Sequence, residues 1–155
     1  MRENIVLRPV GFVSGGRAEP IDDAWDSIEA CIALDPAQFP PEATAGLEGF
    51  SHLEVIFHFD KAAPEKVVTG ARHPRGNPAW PKVGIFAQRG KDRPNRIGVT
   101  VCRILSVDGF SIRVRGLDAI DGTPVLDIKP VMKGFLPRGD IREPDWATEL
   151  MRGYW

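Results

Sequence analysis

Short alternating runs of hydrophobic and polar residues dominate the chain, a pattern typical of β-strands that bury one face. The clearest run spans residues 52–59, which are dense in β-branched and aromatic side chains. In the run at 28–34, apolar residues occupy every second position, so we expect one buried face. The predicted strands cover residues 5–13, 28–34, 52–59, 83–88, 97–105, 111–117 and 124–128.

Turn and helix signals separate these strands. The dipeptide Asp108-Gly109 predicts a hairpin with a type I′ turn, because Asp and Gly tolerate the positive φ that this turn requires at both central residues. Helix signals are scarce and short. They indicate a turn or two at residues 22–26, one turn at 47–51, and a helix at 144–151 that Gly153 ends.

Sixteen glycines and fourteen prolines, spread along the chain, punctuate many short elements. We therefore predict a mainly β fold with few short helices, a barrel or sandwich rather than a doubly wound sheet. A length of 155 residues suffices for one domain with its own core. We expect a single domain over residues 1–155 with no C-terminal accessory domain. The Gly- and Pro-rich residues 67–81 are long for a plain loop, and such loops are usually functional or mobile.

Composition narrows the classes of protein that the chain can represent. No stretch approaches the roughly 20 apolar residues of a membrane-spanning helix, and the first residues do not form a signal peptide. We therefore expect a cytoplasmic protein without membrane contact. The two cysteines, Cys31 and Cys102, lie in apolar strand-like segments, so we expect free, buried thiols. Zinc-type spacing is absent, and no metal site is predicted.

Charge is unevenly distributed along the chain. Residues 1–65 carry four Lys/Arg against twelve Asp/Glu, whereas residues 66–107 carry nine basic residues against the single acid Asp92. Such a local excess of positive charge repels itself unless something offsets it. Either the acidic first third packs across the basic third, or a polyanion binds there, and the two explanations are compatible.

A basic loop follows the predicted strand at 83–88. Four cations fall within eight residues: Arg89, Lys91, Arg93 and Arg96. The planar guanidinium of arginine suits carboxylates and phosphates, so the loop is a candidate anion site, although a charged surface loop explains the pattern equally well. Pro94 fixes φ, and Asn95 is expected to form an Asx-type turn.

Two further stretches combine polar side chains with strands. In residues 117–130, acids alternate with apolar residues around a Gly-Thr-Pro turn; the structural alternative is an exposed turn with an Asp127/Lys129 ion pair. In residues 46–60, His52 and His58 are six positions apart and should share one strand face. Without a third ligand, we expect hydrogen-bonded structural roles for both histidines rather than a metal site.

Several enzyme classes are excluded by missing motifs. No Gly-x-Gly-x-x-Gly follows a strand, and there is no P-loop, so neither a Rossmann dinucleotide site nor a Walker-type NTPase is supported. A Gly-x-Ser-x-Gly nucleophile elbow is also missing. The residues alone therefore indicate a small β-rich domain with a basic loop beside acidic turns.

The same three stretches resemble the TsaA-like, or TrmO-type, family of tRNA methyltransferases, from about residue 10 to residue 130. The matching blocks, in the same order, are Leu-Glu-Gly-Phe-Ser-His-Leu at 47–53, Phe-Ala-Gln-Arg at 86–89 with Arg-Pro-Asn at 93–95, and Asp-Gly-Thr-Pro-Val-Leu-Asp-Ile-Lys-Pro at 121–130. The resemblance implies a compact β-barrel that forms a homodimer. It also implies methylation of the base nitrogen of threonylcarbamoyl-adenosine, next to the tRNA anticodon, with S-adenosylmethionine as cofactor.

The resemblance further implies a set of contacts. The cofactor would be bound by Asp60, Lys61, Arg89, Val99, Leu117, Asp118, Ala119 and Ile120. We expect Arg93 and Asn95 to position substrate or the cofactor loop. We also expect the 67–81 loop to gate or grip substrate through Arg72, His73, Arg75 and Trp80, with the Trp80 ring stacked on a base. No catalytic base is assigned, since in-line methyl transfer depends largely on positioning.

The sequence departs from the family pattern in more than one element. The usual Thr-Arg-Ser-Pro and Arg-Pro-Asn-Pro motifs read Gln-Arg-Gly-Lys at 88–91 and Arg-Pro-Asn-Arg at 93–96, and the C-terminal domain of longer family members is not expected. The family's Pro-Arg-Gln triplet after the first strand is missing from residues 13–20, and Arg17 and Trp25 are the candidates to take its place. These departures leave two alternatives to the tRNA assignment. One is methyl transfer to another RNA or a small molecule, and the other is a non-catalytic module that binds S-adenosylmethionine or RNA.

Overall fold

A computed structural model describes all 155 residues, and it contains eight β-strands and one short α-helix. The strands are β1 (Gly11–Ser14), β2 (Glu29–Leu34), β3 (His52–His58), β4 (Ala71–Arg72), β5 (Val83–Gly84), β6 (Ile97–Asp108), β7 (Ser111–Arg115) and β8 (Pro124–Pro130). The helix α1 spans Asp145–Leu150. Seven single turns of 3₁₀-helix lie in the connections, so helix is as scarce as the sequence predicts.

Six of the strands close into an antiparallel barrel in the order β1-β2-β7-β6-β3-β8. The mainly β prediction, and the barrel that the family resemblance implies, are therefore confirmed. β4 and β5 pair only with each other, in a small hairpin inside the long connection from β3 to β6.

Inward-facing apolar side chains, which alternate with outward-facing ones along the strands, fill the barrel interior. In β3 every second residue is buried, namely Leu53, Val55 and Phe57. The same period places apolar side chains of the other barrel strands inward, and together they form one core cluster of 13 buried residues. Cys102 belongs to this cluster as a free thiol, whereas Cys31 is only half-buried, and its Sγ lies 2.8 Å from Ser111 Oγ.

Two predicted strands are shorter than their sequence pattern suggests. The strand predicted at 5–13 begins only at Gly11, and Ile5 and Val6 are 86% and 91% exposed, because β1 pairs with β8 over two residues only. The strand predicted at 83–88 ends at Gly84. The buried Gln88 side chain donates a hydrogen bond to Val83 O (3.0 Å), so the chain folds back instead of extending.

The predicted hairpin between β6 and β7 is present, but its turn type is not the predicted one. Asp108 pairs with Ser111, so Gly109 and Phe110 are the two central residues. Of these, only Gly109 has a positive φ (54°), as in a type II′ turn. The type I′ assignment to Asp108 and Gly109 is therefore wrong by one residue.

The helix predictions are confirmed at two of three places. A 3₁₀ turn covers Leu47–Gly49, and α1 lies within the predicted 144–151 segment. Residues 22–26 form no helix. There Ala24 has a positive φ of 62°, and its N–H donates to Gly153 O (2.9 Å), so a contact with the C-terminal tail replaces helical hydrogen bonds. No helix in the structure is long and apolar enough to cross a membrane.

Most basic residues of the basic third, residues 66–107, form no ion pair. Only one of the five ion pairs, Arg75 with Asp23 at 2.9 Å, joins this third to the acidic first third. Arg72 pairs with Asp92 inside the basic third. Seven cations there lie beyond 4.0 Å of any carboxylate: Lys66, Lys82, Arg89, Lys91, Arg93, Arg96 and Arg103. Packing within the chain therefore offsets little of this charge.

Candidate cofactor and substrate site

One end of the barrel gathers most of the predicted cofactor residues. β3 and β7 end there, and β6 and β8 begin there, because neighbouring strands are antiparallel. Asp60 and Lys61 directly follow β3, Val99 lies near the start of β6, and residues 117–120 follow β7. Segments far apart in the sequence thus meet at this end of the barrel.

The edge of β6 is unpaired at this end. In the antiparallel β3–β6 pair, hydrogen-bonded residue pairs alternate with pairs that are not hydrogen-bonded. Phe59/Arg96 and Ser51/Ile104 are hydrogen-bonded pairs, so Val99 and Val101 belong to the other kind. The N–H and C=O groups of Val99 and Val101 therefore point away from β3. β7, the neighbour on that side, pairs with β6 only from Arg103 onward. No strand pairing therefore joins the start of β6 to residues 116–121, and only the Thr100–Asp118 side-chain contact bridges them; we call this unpaired stretch the gap.

Arg89 lies against this gap. Its Nη2 donates a hydrogen bond to Val99 O at 2.8 Å, and the rest of the side chain is exposed. The structure therefore brings together two predicted cofactor residues, Arg89 and Val99. The remaining guanidinium N–H groups have no partner in the protein and are available to an anion. Phe86, in the same sequence block, is 79% exposed.

The turn that follows β7 forms the opposite side of the gap. Leu117 and Ala119 point into the core, whereas the half-buried Asp118 accepts hydrogen bonds from the hydroxyls of Thr100 and Tyr154. These two donors fix the carboxylate, so Asp118 is a rigid negative charge at the end of the barrel. The turn is anchored to β1 by Gly15 N–H, which donates to the Asp121 carboxylate at 2.8 Å.

The Tyr154 contact is a feature that sequence reasoning missed. Burial, and next the Asp118 carboxylate, raise the pKa of the Tyr154 hydroxyl far above its usual range. Backbone bonds from Ala24 to Gly153 and from Trp25 to Tyr154, both 2.9 Å, hold the tail in place. The available signal was that Tyr154 is the chain's single tyrosine and follows a turn-forming glycine.

Asp60 and Lys61 lie at the correct end of the barrel but make no side-chain contact. Both are exposed, and neither forms an ion pair. The turn that carries them is closed by hydrogen bonds from Asp60 N to His58 O (2.9 Å) and from Ala62 N to Phe59 O (3.1 Å). Their position leaves both side chains free for a ligand.

The connection between β3 and β6 is held together by Gln88 and two arginines. Arg72 donates from Nε to the Gln88 side chain (3.3 Å) and from Nη1 to Asp92 (3.2 Å). Arg93 donates to Gln88 O at 2.6 Å. These two predicted substrate residues therefore also brace the loop that carries Arg89. Asn95 is exposed with a positive φ of 62°, and its side chain makes none of the hydrogen bonds expected for an Asx-type turn.

The other two predicted substrate residues contact the acidic first third and the C-terminal segment. Arg75 pairs with Asp23 and lies 6.0 Å from the centre of the Tyr154 ring. Trp80 donates from Nε1 to Glu149 of α1 at 2.9 Å. The 67–81 loop is therefore not structureless, because it carries β4 and packs against the C-terminal segment.

Arg17 and Trp25, the candidates to replace the missing triplet, contact each other. The Arg17 guanidinium lies 4.3 Å from the centre of the Trp25 ring and donates to the carbonyls of Asp23 and Ala24. Trp25 is buried. This stack stabilises the segment on which the tail rests. No group of three or more His, Cys, Asp or Glu side chains is placed to hold a metal ion.

The fold and this end of the barrel define a class of protein: a small closed β-barrel whose strand β6 is unpaired at one end. Arg89 and Asp118 lie beside that unpaired edge, which suits a polar ligand that carries both positive and negative charge. The family model described as the tRNA-methyltransferase O N-terminal domain matches residues 18–135. The chain belongs to this family, and the resemblance read from the sequence is confirmed.

Individual relatives agree with the family assignment. A human tRNA (adenine(37)-N6)-methyltransferase is 34% identical over 148 residues, covering 91% of this chain and 33% of the human protein. A probable S-adenosyl-L-methionine-binding protein of Pyrococcus abyssi is 37% identical, covering 90% of this chain and 72% of its own length. A crystal structure of TrmO superposes with a TM-score of 0.75 at 28% identity, covering 91% of this chain and 64% of that one. The chain thus spans about a third of the human relative.

Proposed function

We propose that this protein is an S-adenosylmethionine-dependent tRNA methyltransferase. The observation that carries the proposal is the open edge of β6 at Val99 and Val101, opposite the turn of residues 117–120 and beside the Arg89 guanidinium. Family membership supports the same assignment, since relatives bear the names of S-adenosylmethionine-binding proteins and tRNA methyltransferases.

The groups around the gap fit the cofactor. S-adenosylmethionine carries a carboxylate, an adenine and a positively charged sulfonium, and it supplies an activated methyl group when bound. Arg89 offers N–H donors to the carboxylate, and the backbone N–H of Val99, which has no partner on the β3 side, can donate to the edge of the adenine. Asp118 supplies negative charge, although two donors already hold its oxygens. We therefore assign the contacts of Leu117, Ala119 and Ile120 chiefly to their backbone, with Asp60 and Lys61 at the rim.

Positioning is the main contribution of the protein to the reaction. The Thr100 and Tyr154 hydroxyls fix Asp118, and Val99 O fixes Arg89, so charged groups stand ready on both sides of the gap. Preorganised charges of this kind need no rearrangement during methyl transfer. We assign no general base.

For the methyl acceptor we propose the base nitrogen of threonylcarbamoyl-adenosine next to the tRNA anticodon. Support comes from the seven basic residues without carboxylate partners, which suit a polyanionic substrate. Asn95 is free to contact substrate, whereas Arg72, Arg75, Arg93 and Trp80 would have to combine that role with their contacts in the protein. We further propose that the protein acts in the cytoplasm as a homodimer.

Calorimetry with S-adenosylmethionine tests the cofactor assignment. Arg89→Ala should weaken binding by about 1–3 kcal/mol if the guanidinium pairs with the carboxylate. Lys91→Ala is the matched control, because Lys91 is an exposed cation of the same loop without a protein contact, and its loss should leave affinity unchanged. Equal affinities of wild type and Arg89→Ala would remove Arg89 from the site. No binding by the folded wild type would refute the cofactor assignment.

Mass spectrometry of tRNA nucleosides tests the acceptor. A strain without the protein should lack the methylated threonylcarbamoyl-adenosine, and plasmid-borne wild type should restore it while Arg89→Ala should not. An unchanged nucleoside profile in the deletion strain would refute this acceptor. Cofactor binding without any RNA methylation would favour the non-catalytic binding module.

A further inference from the structure

A row of basic side chains crosses the outer wall of the barrel, apart from the Arg89 loop. Arg103 of β6 lies directly opposite His52 of β3 on one side and Arg115 of β7 on the other. All three point outward, since their strand neighbours Leu53, Cys102 and Val114 are buried in the core. Like charges directly opposite each other in an antiparallel pair are destabilising. The Arg103/Arg115 pair therefore works against the fold.

No ion pair relieves this repulsion, since even the acidic Asp26, which borders the same place, forms none with Arg103 or Arg115. Glu29 is the register partner of Arg115 on β2, but its carboxylate pairs instead with Arg113 at 2.9 Å. Arg115 donates from Nε only to the backbone O of Asp26 (3.0 Å), and Arg103 has neither an ion pair nor a side-chain hydrogen bond. Two arginines thus occupy directly paired strand positions, and neither guanidinium has an ion-pair partner.

An aromatic ring borders the same place. A surface depression of about 220 Å³ is lined by the arginine pair and by Val101, Gly116 and Trp155, and it also reaches His52, Asp26 and Cys102. The Trp155 side chain is half exposed, and its ring stands edge-to-face on Tyr154 at 4.9 Å. Val101 contributes backbone groups of the unpaired β6 edge. Guanidinium groups, an indole and free backbone hydrogen-bonding groups therefore converge on one depression.

We propose that this depression binds one nucleotide of a single-stranded segment of the RNA substrate. A phosphate lies between Arg103 and Arg115, the base stacks on Trp155, and the Val101 backbone contacts the edge of the base. Stacking on an aromatic side chain beside cationic side chains is how proteins grip unpaired bases. The proposal rests on the proposed function in one respect, namely that the substrate is RNA.

Size and position distinguish this subsite from the cofactor site. Drug-sized ligands occupy roughly 300–1,000 Å³, so a depression of about 220 Å³ suits a single base rather than a whole dinucleotide or cofactor. It lies on the barrel wall at Val101–Arg103, next to the gap at Val99 that we assign to the cofactor. A nucleotide held there would place its neighbour along the strand close to the gap.

The charge reversal Arg103→Glu separates binding from stability. A glutamate at this position faces Arg115 and His52 and replaces repulsion by attraction, so the melting temperature should be unchanged or higher. RNA affinity should nevertheless fall by about 10-fold or more, because one phosphate contact is lost. For the same reason, the slope of log affinity against log salt concentration should become less steep by about 1. The probe is an anticodon stem-loop RNA, measured by fluorescence anisotropy at several salt concentrations.

Lys129→Glu is the matched control, with the same change of charge. Lys129 lies on the outer face of β8, on the opposite wall from β7, and is already paired with Asp127 at 3.2 Å. Its reversal should alter RNA affinity far less than Arg103→Glu does. Trp155→Ala should weaken RNA binding about 5- to 100-fold with little change in the salt slope, whereas Trp155→Phe should restore much of the affinity.

Calorimetry with S-adenosylmethionine on each variant makes the outcomes distinguishable. The proposal is supported if Arg103→Glu and Trp155→Ala lose RNA affinity while Arg103→Glu keeps cofactor affinity and stability. RNA affinity equal to wild type in both variants overturns the subsite and leaves the proposed function intact. A wild type that binds cofactor but no RNA overturns both the subsite and the tRNA assignment.

Discussion

Replacing Tyr154 by Phe tests whether the C-terminal tail is fixed to the end of the barrel. The change removes one hydroxyl, which donates to the Asp118 carboxylate, and keeps the ring that packs against Trp155. A hydrogen bond to a charged group typically contributes about 1.5–3 kcal/mol. Asp118 retains the Thr100 bond and is only half-buried, so water can replace part of the loss. We expect Tyr154→Phe to lower the free energy of unfolding at neutral pH by about 1–2 kcal/mol.

The pH dependence gives this prediction a second, independent readout. An unfolded tyrosine ionises with a pKa near 10, whereas burial and Asp118 raise the pKa of the folded Tyr154 far above that value. The stabilisation is therefore complete below about pH 10, and it is lost as the pH rises further, because only the unfolded state releases the proton. Wild type should lose stability relative to Tyr154→Phe by about 1.4 kcal/mol for each pH unit above 10.

Two measurements check these expectations. Thermal melts at neutral pH should show a lower melting temperature by about 2–8 °C in Tyr154→Phe, and urea melts between neutral and alkaline pH should show the two stabilities converging. Since Tyr154 is the only tyrosine, phenolate absorbance reports its ionisation alone. Thr148→Val is the control, because it removes an exposed hydroxyl of the same segment that donates to Glu143. An ordinary tyrosine titration in the folded protein, with no loss of stability in Tyr154→Phe, would refute the buried contact.

Two further predictions concern the barrel itself. Gly98→Ala should lower the free energy of unfolding by about 1–3 kcal/mol in urea melts, because the added Cβ would lie 2.5 Å from Phe57 Cε2. Gly84→Ala is the control: its Cβ would have no atom within 4 Å, so the free energy of unfolding should fall far less. Burial, and next the Asp118 carboxylate, raise the pKa of the Cys102 thiol to about 12. Alkylation of the native protein at mildly alkaline pH should therefore modify Cys31 before Cys102, and in denaturant it should modify both, as measured by peptide mass spectrometry. Early modification of Cys102 in the native protein would contradict this prediction.

The sequence predicts the barrel well where alternation is enforced by burial. β3 and β2 were identified almost to the residue, because each carries a buried residue at every second position. The prediction is wrong where the pattern has no partner strand. Residues 5–7 are a continuous apolar run of Ile, Val and Leu, yet the β1–β8 ladder ends at Gly11, so this run stays outside the barrel. Local pattern records the preference of a segment for strand, whereas pairing depends on the rest of the fold.

The candidate site was predictable only in part, for a related reason. Arg89 lies in one motif block and Asp118 lies three residues before another, and the structure brings both to one end of the barrel. The Tyr154–Asp118 and Trp80–Glu149 contacts join residues 36 and 69 positions apart, with no local pattern that links them. The arginine pair on the barrel wall depends on the register of β6 against β7, which a bulge between Ile104 and Ser106 shifts. Neither kind of information is present in single-sequence periodicity.

A mismatch in strand length explains why the two proposed binding sites lie side by side. β6 has twelve residues and β7 only five, so β6 pairs with β3 along its first half and with β7 along its second half. An unpaired strand edge is usually a liability, because it invites pairing with other chains. Here the tail residue Trp155 borders that edge at Val101, and Tyr154 donates to Asp118 on the facing turn. Because Tyr154 holds Asp118 and its ring packs against Trp155, any variant that detaches Tyr154 should weaken both proposed binding sites together.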